Sequence, residues 1–154
     1  MITSKVVLNQ PFRLDRQFTA TTGSEHHMLL DDAAGATGSK PIELVAAGLA
    51  GCTAFDVITV LRHKYHQKVT GYEVRVEADQ AQRPPQVFTS VRNPSRGHGL
   101  RNRSRSNRGS NPALWEKYCS VGAMVKQNAS LHTTYEIVEE KSQWLAATPV
   151  TVQG

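Results

Sequence analysis

Cysteine is scarce in this chain: two residues in 154, Cys52 and Cys119, standing 67 positions apart. Neither has a second cysteine two to four positions away. A zinc-finger-type cluster is therefore not expected, and no metal or cofactor is assigned. Long apolar runs are missing too, since no stretch reads as long enough to span a bilayer. Met1 to Asn9 carries one lysine and no apolar h-region, so it does not read as a signal peptide. The expectation is a cytoplasmic protein with no membrane partner. In that compartment a structural disulfide is not expected. The plain reading of the two thiols is burial as small hydrophobes.

Apolar residues make up 39% of the chain and aromatics 6%. That leaves a modest core, enough for one domain. Basic residues are concentrated in one stretch. Six arginines, at 92, 96, 101, 103, 105 and 108, lie between Arg92 and Trp115 with no Asp or Glu among them. Removing those six from 18 basic residues leaves 12 against 13 acidic ones, so the net charge of +5 belongs to one segment.

What is present is patterned. Lys5 to Val7 and Phe12 to Thr19 alternate as strands do, Thr22-Gly23-Ser24 signals a turn, and His27 to Leu30 reads as a returning strand. Asp31 to Lys40 is small, polar and Gly-rich, so it reads as a loop, with Asp31-Asp32 a solvated turn. Pro41 opens a helix with Ser39 as its expected N-cap. The run from Glu43 to Leu61 is apolar on nearly every face, which predicts a helix buried on all sides with Cys52 at its middle. Arg62, His63 and Lys64 close it with charge suited to a helix C-terminus. Tyr72 to Asp79 alternates as a strand, Arg83-Pro84-Pro85 breaks it, and Gln86 to Arg92 returns as a second strand. Leu114 to Ser130 reads as a helix carrying Cys119. Thr133 to Glu139 is a last strand, and residues 141–154 form a tail. Strands, helix, strands, helix, strand in that order predict an α+β fold with a mainly antiparallel sheet.

Gly38-Ser39-Lys40-Pro41-Ile42-Glu43-Leu44-Val45-Ala46-Ala47-Gly48-Leu49-Ala50-Gly51-Cys52-Thr53 resembles the first cysteine motif of the OsmC/Ohr family. Glu116-Lys117-Tyr118-Cys119-Ser120-Val121 resembles its second, and Pro84-Pro85-Gln86-Val87-Phe88-Thr89 and Tyr135-Glu136-Ile137-Val138 resemble two of its strands. The resemblance implies one OsmC-like domain over residues 1–140. It implies an intertwined homodimer whose mainly antiparallel sheets wrap buried central helices. It further implies a thiol-dependent reductase of organic hydroperoxides, active in oxidative or osmotic stress. In that reading Cys52 is the attacking, peroxidatic thiol and Cys119 the resolving one. The implied partners are a second copy of the chain, a hydroperoxide or other small apolar molecule, and a dithiol reductant. The chemistry suits the residues: a thiolate attacks the peroxide, the sulfenic acid is trapped as a disulfide, and a dithiol restores both thiols.

One position departs from the pattern. The family's peroxidases carry a carboxylate directly after the motif proline, where it orients an activating arginine. Here that residue is Ile42, and Glu43 stands one place on as the possible orienting carboxylate. Neither Arg13 nor Arg16 is marked as the arginine. Asp56-Val57 after the Cys52 motif is closer to a less characterised branch of the family. The alternative function is a non-catalytic dimer with inert thiols, acting as a stress or small-molecule binding protein.

Residues 92–115 fit neither pattern. The stretch is mostly Arg, Ser, Asn and Gly, with two leucines, one alanine and no valine, and it shows no helical or strand period, so a strand end and an amphipathic helix are expected to be lost there. An Arg-rich nucleic-acid-binding insert, a solvated loop, and a stretch translated out of frame all account for it. Nucleic acid is not an expected partner, because the spacing from Phe88 to Cys119 is unchanged by the stretch. Ser110 to Leu114 written AGC AAT CCA GCT CTG becomes Ala-Ile-Gln-Leu one base later, which favours the frame explanation. His26, His27, His63 and His66 read as surface histidines, and Gly35-Ala36-Thr37-Gly38 lacks the Lys-Ser/Thr of a phosphate loop.

Overall fold

The structure is a computed structural model, and it describes residues 1–9, 17–32, 37–98 and 119–138. The chain divides into two compact units, Met1–Gly48 and Leu49–Gly154. The architecture is mixed α+β, as the pattern predicts.

The first unit holds a three-stranded antiparallel meander of β1 (Ser4–Leu8), β2 (Phe18–Thr22) and β3 (His27–Leu30). The expected strand from Phe12 is met from Phe18 on; residues 12–16 lie outside the described residues. The turn falls at Gly23 as the sequence signals. A Cβ there would sit 2.6 Å from Thr3 Oγ1 and 3.3 Å from Thr3 O, so a larger residue would have to displace the Thr3 side chain. Asp31 is not the solvated turn expected of it. It is 5% exposed, and its carboxylate accepts from the Thr37 hydroxyl, the Thr37 N–H and the Asp32 N–H. The Thr37 hydroxyl holds its carboxyl below the usual carboxylate range.

Helix α1 (Pro41–Thr59) begins where proline costs least. Its N-cap is Lys40 rather than Ser39. Ser39 is drawn away by pairing with β3, where Asp31 N–H donates to its carbonyl and its own N–H donates to Leu29 O. Glu43 reaches back to the Lys40 N–H at 2.9 Å, which is the glutamate half of a capping box. The helix ends in a π-helical turn, Val60–Lys64, whose last residues are basic as predicted.

The second unit builds a sheet around β6 (Phe88–His98). Strands β4 (Gly71–Val74) and β5 (Glu77–Gln80) run antiparallel along one edge, and β7 (Ser130–Val138) runs parallel along the other. The expected single strand from Tyr72 to Asp79 is thus two strands, but their registers on β6 are in line. They part opposite Asn93 and Pro94. Arg75 N–H donates to Pro94 O, and proline has no N–H to return the bond. A parallel β6–β7 pair requires a crossover, and this one carries α2 (Ser120–Val125).

Two expectations need correction. Arg92 to His98 does not lose its strand: it continues β6, buried at alternate residues Asn93, Ser95 and Gly97. Backbone pairing on both edges holds it there although the side chains carry no apolar alternation; residues 99–115 lie outside the description. The helix expected from Leu114 to Ser130 is confined, among the described residues, to α2, and Ser130 already belongs to β7.

Helix α1 is not buried on all sides within one chain. Leu49, Thr53, Val57 and Leu61 form the buried stripe, four residues apart, while Phe55 is 79% exposed. The stripe's aliphatic members each gain about 1.5–3 kcal/mol from burial. Val57, Leu61 and Val69 pack with Ile58, Tyr72, Tyr135 and Ile137. By length and composition Pro41–Lys64 would serve as a membrane span, contrary to the expectation that no such run exists.

Candidate functional site

Cys52 is set by α1, and Thr53 beside it fixes that part of the helix. Thr53 Oγ1 donates to Leu49 O at 2.9 Å and accepts from Asn93 Nδ2 at 3.1 Å, tying the helix to β6. Asp56 stands one helical turn on from Cys52, so the two side chains share a face. Cys119 does not lie on a helix, as expected of it, but at the N-cap of α2. Its backbone is extended, and its Sγ accepts from Gly122 N–H at 3.2 Å.

The three side chains meet. Cys52 Sγ, Cys119 Sγ and an Asp56 carboxylate oxygen all lie within 4.8 Å of one another. Both cysteines are free thiols. Cys119 is 1% exposed, whereas Cys52 and Asp56 are half-buried. Burial pushes the Cys119 thiol up to about 11, helped by its hydrogen bond with Cys52 and by the charges of Cys52 and Asp56; Gly122 N–H opposes this. Burial also raises the Asp56 carboxyl. Asp56 Oδ2 is buried with no hydrogen-bond partner among the described residues.

The structure thus brings together the two cysteines singled out in the sequence and adds a third neighbour, Asp56, that the sequence did not single out as part of the site. The signal for Asp56 was its i, i+4 spacing from Cys52, which gains meaning only once Cys119 closes the triangle. Glu43 is exposed in the first turn of α1, with one carboxylate oxygen engaged at Lys40 N–H. Arg13 and Arg16 lie outside the described residues. His26, His27, His63 and His66 are exposed, as expected.

This arrangement can do thiol chemistry. Two sulfurs this close can interconvert between dithiol and disulfide with small side-chain rotations. The buried partner keeps its proton and the more accessible one meets solutes.

Comparison with known proteins follows the same line. The chain is 29% identical over 123 residues to Protein YhfA of Escherichia coli (strain K12), covering 79% of this chain and 90% of that protein. The fold is shared with an OsmC-like protein from Mycoplasma pneumoniae, with a TM-score of 0.74 at 14% identity, over 90% of this chain and 97% of the other. It is shared as well with an organic hydroperoxide resistance protein OsmC from Legionella pneumophila, with a TM-score of 0.65 at 16% identity, over 90% and 97%. Residues 34–134, which include both cysteines and Asp56, match the family described as OsmC-like protein. The chain belongs to the OsmC-like protein family.

Proposed function

We propose that this chain is a thiol-dependent reductase of organic hydroperoxides, with Cys52 as the attacking thiol and Cys119 as the resolving one. The observation that carries the reading is the meeting of the two thiols, brought from α1 and from the crossover before β7. The difference in their burial supports the order of roles. Cys119, held protonated by burial, suits the thiol that waits. The reaction balances in three steps. The Cys52 thiolate takes the distal peroxide oxygen, giving Cys52 sulfenic acid and an alcohol. The Cys119 thiol then displaces water to form the Cys52–Cys119 disulfide. A dithiol reductant restores both thiols and leaves as its own disulfide. Such a cycle belongs in a reducing cytoplasm.

The same reading takes the chain as a homodimer. Phe55 and Met124, 79% and 62% exposed, are large apolar side chains in need of a cover. A second copy provides one with the same surface.

The test is consumption of cumene hydroperoxide in the presence of dithiothreitol. The reading expects turnover by the native chain, none by Cys52→Ser, and, with the reductant left out, a sulfenic acid that persists in Cys119→Ser where the native chain forms its disulfide. No consumption by the native chain above the Cys52→Ser control would sink it. That outcome would leave the inert-thiol binding protein as the reading.

A further inference from the structure

A peroxidase needs two of the three groups in the Cys52 cluster; the third has no role in that reaction. Asp56 brings a carboxylate to within 4.8 Å of both sulfurs, and its Oδ2 is buried without a partner among the described residues. A buried carboxylate oxygen left bare is costly, and such groups are retained where they coordinate a cation or pair with one. Cysteine sulfur, cysteine sulfur and carboxylate oxygen make a donor set suited to zinc and its thiophilic relatives, and unsuited to magnesium or calcium.

The geometry agrees. With metal–sulfur bonds of about 2.3 Å and metal–oxygen bonds of about 2.0–2.2 Å, donors in a tetrahedral site stand roughly 3.5–3.8 Å apart. Donors already within 4.8 Å reach that spacing by small rotations about Cys χ1 and Asp χ1. Cys52 and Asp56 come from one rigid helix one turn apart, so two of the three donors are positioned together. The N–H of Gly122, 3.2 Å from Cys119 Sγ, supplies the outer hydrogen bond that orients a thiolate ligand. Cys52 is only half-buried, which leaves a fourth position open to solvent or to an added ligand.

We infer that Cys52, Asp56 and Cys119 form a three-ligand site for a thiophilic divalent cation, with Zn2+ as its natural probe. The site does not depend on peroxide chemistry. It uses the same two thiols, however, so a bound cation withholds them from oxidation.

The experiment uses the full, reduced, metal-free chain titrated anaerobically with Co2+. The expected result is a near-ultraviolet thiolate-to-cobalt charge-transfer band that saturates at one ion per chain and is displaced by Zn2+. Cys52→Ser and Cys119→Ser each abolish or sharply reduce the band, and Asp56→Asn weakens binding by at least about tenfold. Lack of the band, or a band of undiminished strength in both serine variants, overturns the site. A second measurement needs no variant: Zn2+ must slow the reaction of both native thiols with a thiol reagent, and equal rates with and without Zn2+ count against the site. The two readings fail separately. A chain that binds Co2+ but consumes no peroxide loses only the peroxidase; one that consumes peroxide but binds no Co2+ loses only the metal.

Discussion

The phenol of Tyr135, on β7, packs against the Val57, Leu61 and Val69 cluster. Its Oη is buried with no hydrogen-bond partner among the described residues. Burial pushes its ionisation up to about 12, with the neighbouring Tyr72 adding to the shift. The consequence for stability has a definite sign. Unfolded, the phenol ionises near 10.0; folded, it keeps its proton to about 12. Below pH 10 both states are neutral and nothing is lost. As pH rises through this window the unfolded state releases its proton first, and folding is penalised. Tyr135→Phe removes both the unpaired hydroxyl and this loss. It should raise stability by about 1 kcal/mol near neutral pH. The gap should then widen by on the order of 2 kcal/mol as pH goes from 10 to 12. Urea unfolding of both chains across that range checks it. A gap that stays flat would mean the hydroxyl finds water or a partner. The thiols were readable as residues because each sits in a family motif. Tyr135 also sits in a family strand, but its bare hydroxyl was not readable, nor was the bare oxygen of Asp56, since burial without a partner is a property of three dimensions and leaves no local mark in the sequence.

At the scale of elements, β6 is where sequence and structure diverge most. Its inward side chains run Val91, Asn93, Ser95, Gly97. The pleat asks for apolar residues at each, and only the first supplies one. Asn93 is 3% exposed; its Nδ2 reaches Thr53 Oγ1, but its Oδ1 is buried without a partner among the described residues. Asn93→Val removes that unpaired oxygen, and Thr53 keeps its own bond to Leu49 O. The variant should gain about 1–2 kcal/mol of stability by urea or thermal unfolding. A loss would show that the Asn93–Thr53 bond outweighs the bare oxygen. Polar side chains on the core face of a central strand are what an out-of-frame stretch would leave behind. The gene's nucleotide sequence tests that directly, since a stop in the shifted frame ends the idea. The strands with a two-residue alternation were legible, β4 and β5 as one continuous run and β7 by itself, as were the start of α1 and its basic end. β6 beyond Arg92 was not, because its pairing is fixed by the neighbouring backbones and not by its own side chains. The limits of α2 were not either, because apolar residues stand on both sides of the start of β7, Ala129 before it and Leu131 after it.

For the whole molecule, the fold class followed from the order of elements, but the burial of α1 did not. A helix apolar on every face was expected to be covered on every face. One chain covers the stripe Leu49, Thr53, Val57 and Leu61 and leaves Phe55 79% exposed. Two covers suit such a helix, a bilayer or another protein surface. The tie from Thr53 to Asn93 and the packing of Val57 and Leu61 on the sheet are the marks of a core helix. A second copy is therefore the cover to test. In a two-fold interface Phe55 is buried twice, and each burial is worth about 1.5–3 kcal/mol. Phe55→Glu should then weaken self-association by roughly two to four orders of magnitude. Sedimentation equilibrium without detergent, on native and variant chains with matching circular dichroism, is the measurement. A native dimer that becomes a monomer in the variant meets the expectation and removes the bilayer as the cover. A native chain that is already monomeric at tens of micromolar, or a variant that dimerises as tightly as the native chain, places the cover of α1 elsewhere than at Phe55 of a second copy.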